Sequence, residues 1–189
     1  MRSAYQSWSW RRLRDDGESE HYVLTKEDPM GARADALAKR FEEATKAVTD
    51  VITRLSDADW KKLTAGEKWS VGVVAHHIAQ GHAGISNIVK TVAGGKSGPS
   101  MTMAQLDQMN AQHAKEHATC TKAETLELHR KNAATAAAIV RGLSDAELDR
   151  TGGVLIGLPP MSTQQVVEQV LIKHVNDHLG SIRAALGTK

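Results

Sequence analysis

A chain of 189 residues with 41% hydrophobic content is long enough to bury one substantial core, and a formal net charge of +2 offers no basic field for nucleic acid. Aromatic residues at 4% disfavour a β-sandwich and the stacking platforms used on single strands. The single cysteine, Cys120, excludes an intramolecular disulfide and fits a reducing cytoplasm, and no apolar run reaches membrane-spanning length.

Residues 1–29 are charged and turn-rich and hold no sustained period of 2 or 3.6. They read as an amino-terminal extension, expected to be disordered. Arg11 and Arg12 precede no apolar stretch, so no export signal is convincing. The folded domain is expected over 30–189, opening on "MGARADALAKRF".

From there the pattern is helical. Leu37, Phe41, Ala44, Val48, Val51 and Leu55 mark one apolar seam and predict a first helix over about 31–55. Ser56 with Asp59 makes a capping-box start for a short helix, and Ser70 is an N-cap for a second long helix over about 71–92. "GGKSGPS" is a loop. Thr102 with Gln105, and Thr121 with Glu124, are further capping boxes, so 102–142 reads as one long arm with a break near 119–121. "TGGVLIGLPPM" is a long loop with one short β-like run, and Ser162 with Gln165 caps a last helix over about 163–186 that ends at Gly187. The phrases "RLSDADW" and "GLSDAEL" echo each other. Either two helical hairpins are related by a pseudo-twofold, or capping chemistry alone selects the same residues twice. Four long helices in one domain predict an all-α four-helix bundle.

Nine histidines is a high count, and their placement matters more than their number. In "LIKHVNDHLGSIRAAL", at about 100° per residue, His178 falls inside the apolar stripe and His174 just beyond its border. Buried imidazoles are costly unless they are hydrogen-bonded or ligated. In "WSVGVVAHHIAQGH", His77 is the inward candidate; His76 and His82 are rotated away from it, so the three cannot face one point. Small residues nearby, among them Gly81 and Gly84, allow close approach. His77, His174 and His178 together form a three-imidazole set of the kind that binds zinc, nickel or iron with a position left open. In "NAQHAKEH", His113 lies near an apolar seam and is a candidate acid–base or substrate group, whereas His117 reads as solvated. His21 and His129 sit in charged contexts and read as surface residues. Cys120 has no evident activating partner beyond His117.

The phrase "KWSVGVVAHHIA" and the run "HVNDHLGSIRAAL" resemble the DinB-like (YfiT-like) metalloenzyme superfamily, over about 30–189. The resemblance implies a bundle in up-down-down-up order and a divalent metal on one histidine of the second helix and two of the last. By position these are His77, His174 and His178, with His76 a one-residue alternative to His77. Relatives in this superfamily include transferases and isomerases that use a low-molecular-weight thiol, so such a thiol is an implied cofactor. The expectation is a metal-dependent enzyme of thiol-transferase, isomerase or hydrolase type, acting on a small molecule without nucleic acid or membrane, and pairing as a homodimer. The rival expectation is a non-enzymatic metal-binding or stress-associated module.

Overall fold

The computed structural model describes residues 8–13, 21–26 and 31–188. In chain order these form β1 (Trp8–Leu13), β2 (His21–Lys26), α1 (Ala32–Arg54), α2 (Asp57–Trp60), α3 (Val71–Ala93), α4 (Met103–Glu116) and α5 (Lys122–Arg141). Then come α6 (Asp145–Asp149), β3 (Thr151–Gly152), β4 (Met161–Ser162), α7 (Thr163–Gln165), a π-helical segment (Val166–Ile172) and α8 (Lys173–Leu186).

Within the amino-terminal segment expected to be disordered, β1 and β2 pair as an antiparallel hairpin, from Trp8 opposite Lys26 to Leu13 opposite His21. Charges such as Arg11 and Arg12 interrupt the short alternation there, which hides the strands from a periodicity test. Residues 14–20 and 27–30 lie outside the described residues. The "TGGVLIGLPPM" loop also closes on a two-residue ladder, Thr151 opposite Ser162 and Gly152 opposite Met161.

The helices start where their capping residues are. Ser56, Thr102, Thr121, Ser144 and Ser162 each close a reciprocal capping box, and Ser70 accepts from the Val73 amide. Such a cap stabilises a helix start by about 1 kcal/mol, because it satisfies donors that the helix leaves unpaired. Both echoing phrases therefore become short capped helices, α2 and α6, each coming after a bundle helix.

Four elements make the bundle: α1, α3, α5 and the last helix, which runs from α7 through the π segment to α8. Phe41, Ile52, Ile78, Leu171 and Ile182 are fully buried among them. On α1 the seam passes from Val48 to the buried Ile52 and leaves Val51 at the margin. Named contacts fix the directions. Arg141, at the end of α5, pairs with Asp35 and Glu42 near the start of α1, and Lys122, at the start of α5, donates to the Leu55 carbonyl. These two helices are antiparallel. Gly72, at the start of α3, meets the Trp60 indole, which donates to the Cys120 carbonyl just before α5. At the other end Arg150, beyond α5, donates to the Ala93 carbonyl, so α3 and α5 run parallel. Arg33 with Gln164 and Arg40 with Glu168 set the last helix parallel to α1. The order is up-down-down-up.

Parallel neighbours need a return path, and the loop after α3 together with α4 supplies it. The stretch 102–142 is therefore not one arm: α5 joins the bundle, while α4 lies against α3 and buries a single side chain, His113. The polar sequence of α4 lacks the apolar face that bundle packing needs. No helix among the described residues is long and apolar enough to cross a membrane.

Candidate metal centre

The central helix α3 sends its three histidines in three directions, as their rotation requires. His77 turns to α8, His76 to α4, and His82 to α1 and α5.

On the first side His77 meets His174 and His178. Their ligand nitrogens all lie within 4.8 Å of one another. The Nε2 atoms of His77 and His174 are 3.1 Å apart, and the ring of His178 lies with its centroid 4.9 Å from that of His77 and 4.6 Å from that of His174. The structure thus groups His77, not His76, with the pair on the last helix. Burial pushes His77 and His174 down to about 3, with neighbouring imidazoles adding to the effect. Both rings are then neutral at physiological pH, which is the ligating form.

Three neighbours hold this geometry. The first is Glu67, which the sequence reading did not single out. Its Oε1 lies 2.8 Å from Nδ1 of His178. A carboxylate takes the Nδ1–H and leaves Nε2 of His178 as the free lone pair, as outer partners of metal-binding histidines do. Burial alone would raise the Glu67 carboxyl, but the polar groups of Thr64, His178, its own backbone and Ser181 hold it below its ordinary value. Glu67 comes from a tight loop in which the Thr64 amide donates to the Trp69 carbonyl at 2.8 Å and Lys68 takes a φ of 62°. A left-handed residue with a side chain is uncommon and concentrates at functional sites. The second neighbour is Trp69, whose ring meets His77 edge-on at 5.4 Å. The third is Gly81, where an added Cβ would stand 2.5 Å from Cε1 of His174.

The last helix reaches the site through the π segment, which ends just before Lys173 and His174. A π turn is wider than an α turn and shifts the register of the residues beyond it. The uniform 100° projection of the sequence therefore does not carry across it.

Behind the site lies a buried pair. His129 is 1% exposed and His82 fully buried, which corrects the surface reading of His129. Nε2 of His129 lies 3.0 Å from the Thr45 carbonyl, and Nδ1 lies 3.1 Å from Nε2 of His82. The carbonyl only accepts, so His129 donates from Nε2, its Nδ1 accepts from His82 Nε2–H, and Nδ1 of His82 is a bare acceptor. Nδ1 of His82 and Nδ1 of His174 are both buried without a hydrogen-bond partner. The sequence signal for His129 was there: Thr125, His129, Ala136 and Val140 form one helical stripe, masked by its small and polar members.

On the second side His76, His113 and His117 form another group with ligand nitrogens within 4.8 Å. His113 is buried, and His117 is half-buried rather than solvated, because it packs against the His76 ring. The His113 ring also stands edge-on to His77 at 5.3 Å, beside the first set. Cys120 lies nearby, and burial pushes its thiol up, which disfavours a nucleophilic role. The side chain of His21 lies outside the described residues.

Do the residues of the first side fit a divalent metal? Two imidazole nitrogens 3.1 Å apart repel if both carry bare lone pairs, and the same spacing suits two ligands each at about 2.0–2.1 Å from one ion. The Glu67–His178 contact and the neutral rings point the same way. The donor set fits a zinc-, nickel- or iron-class cation.

Fold and site together define a helical bundle of up-down-down-up order with converging histidines on its second and last long helices. The chain belongs to the family described as the mycothiol maleylpyruvate isomerase N-terminal domain, matched over residues 41–171. That span includes Glu67, His77 and His113 and stops short of His174 and His178. Among solved structures the chain is similar to YfiT from Bacillus subtilis, "a probable metal-dependent hydrolase with an unusual four-helix bundle topology". The identity is 15% and the TM-score 0.68, over 88% of this chain and 95% of that one. It is also similar to the mycothiol-dependent maleylpyruvate isomerase, at 12% identity and a TM-score of 0.63, over 79% of this chain and 60% of that one. At these identities the likeness establishes the fold. No curated protein sequence matches the chain.

Proposed function

We propose that the protein is a metal-dependent enzyme acting on a small molecule, with one divalent transition metal held by His77, His174 and His178. The observation that carries this reading is the 3.1 Å approach of the His77 and His174 Nε2 atoms, with His178 oriented beside them by Glu67. A zinc-, nickel- or iron-class ion supplies Lewis acidity there and lowers the pKa of a thiol or a water at a remaining position. The protein's own groups do the rest. Glu67 fixes the tautomer of His178, the bare Cα of Gly81 admits the His174 ring, and Trp69 flanks His77. His113 stands beside the set as the group that moves a proton to or from substrate.

Two chemistries share this machinery. A low-molecular-weight thiol as activated group is supported by the family to which the chain belongs and by the mycothiol-dependent relative. Hydrolysis is supported by the likeness, along almost its whole length, to the protein described as "a probable metal-dependent hydrolase". A cytoplasmic setting goes with the single cysteine. A non-enzymatic metal-binding module is the alternative. The deciding experiment loads the untagged protein with cobalt and adds a small thiol or azide. A changed visible spectrum, lost in His178→Ala, supports an open catalytic centre. A substitution-inert spectrum favours the module, and failure of the wild type to bind any metal sinks the metal reading.

A further inference from the structure

The geometry points to a second divalent-metal site on the neighbouring face of α3, about 100° round from the first, formed by His76, His113 and His117. It shares no metal ligand with the first site and stands whether or not that site is catalytic.

The first observation is convergence. His76 Nδ1 lies 3.4 Å from His113 Nε2, and the His113 and His117 centroids are 4.6 Å apart. The His76 and His117 rings stack with centroids 3.9 Å apart, so ligation of one ion requires one of these two rings to rotate. One nitrogen of each lies within 4.8 Å of the others. His113 lies in the last turn of α4 and His117 is its C-cap residue four positions on, its amide still bonded to the His113 carbonyl, which keeps the two imidazoles on one side.

The second observation concerns α4 itself. A helix docks by burying an apolar stripe. Here the single buried side chain is His113, and it faces His76, while Met103 and Met109 remain 47% and 55% exposed. Leu106, Asn110 and Ala114 are only half-buried, and packing does not explain why the one buried residue of this helix is an imidazole set against two others. Ligation does.

The third observation is access. His76 and His117 border a cleft of about 620 Å³ that also carries the Glu116 and Glu124 carboxylates. Negative charge at the mouth favours a cation, and an open cleft leaves it exchangeable. Three imidazoles without a thiolate select a borderline cation of the zinc, nickel or copper type over magnesium or calcium. Because His113 belongs to this set, an ion here would occupy the group assigned above to proton transfer.

The test is equilibrium dialysis of the metal-free, untagged full chain against buffered micromolar zinc, with zinc per chain read by elemental analysis. Wild type is expected to hold about two, His113→Ala/His117→Ala about one, and His174→Ala/His178→Ala about one. His117→Ala alone, at a half-buried position, serves as the variant least able to disturb folding; it is expected to weaken only the second zinc, by at least about tenfold. Unchanged helical circular dichroism establishes that each variant is folded. If wild type binds one zinc and loses it only in the α4 variants, the second site stands and the metal reading of the first falls. If wild type binds one and the α4 variants keep it, or if none of the α4 variants changes zinc binding, the second site is overturned.

Discussion

Glu67 and His178 are 111 residues apart in the chain and 2.8 Å apart in space, joined carboxylate to Nδ1. The contact ties the loop before α3 to the last helix, and it selects which nitrogen of His178 is left to act. A tautomer fixed in this way is a stronger statement about chemistry than proximity among histidines alone.

The contact can be weighed directly. Glu67→Gln keeps an acceptor for Nδ1–H but removes the charge. First-site metal affinity, measured against a competing chromophoric chelator, is expected to fall about 10- to 100-fold. Glu67→Ala frees the ring and is expected to cost more. Unchanged affinity in both variants would detach Glu67 from the site.

Gly81 and Gly84 make a controlled pair on one helix. An alanine Cβ at 81 would sit 2.5 Å from the His174 ring, whereas at 84 it meets nothing within 4 Å. Gly81→Ala is therefore expected to displace His174 and abolish tight first-site binding. Gly84→Ala is expected to leave binding intact and to raise stability by about 0.5–1 kcal/mol through helix propensity. Equal metal affinity in the two variants would contradict the close-packing account.

Acid should unfold the metal-free protein early. Burial, reinforced by the charge of His129, pushes His82 down to about 3, and burial also lowers His129. In the unfolded chain both rings take up protons near their ordinary value of about 6.5. The unfolded state then binds more protons, so stability is complete above that value and falls as pH drops from it toward the folded values. The urea midpoint of metal-free protein is expected to decline between pH 7 and pH 5. A flat profile would mean that these imidazoles are not held neutral.

Cys120 gives a chemical check on the second cluster's surroundings. Burial raises its thiol, so alkylation by iodoacetamide at pH 7 is expected to be slower in the folded metal-free protein than in urea. Faster reaction in the folded state would reopen a nucleophilic role.

The bundle was legible because its signals are local. The capping residues Ser56, Ser70, Thr102, Thr121 and Ser162 start helices where their side chains can reach an amide three residues on, and the seam on α1 keeps the helical period. The His174/His178 pair and the supply of a histidine from α3 were legible for the same reason, since face and spacing are properties of one helix at a time. Glu67 was not, because nothing in "GEKWS" announces a left-handed Lys68 or the contact with a helix 111 residues away. Nor was the choice between His76 and His77. Adjacent residues differ by about 100° of rotation, and which direction holds a partner depends on where other helices dock. The sequence by itself determined the helices, their starts and the supply of imidazoles. Only the tertiary structure decided that α3 would divide its histidines among three neighbours and that α4 would dock through His113. Local hydrogen bonds write the first set of facts; the packing of distant segments, which no single segment encodes, writes the second.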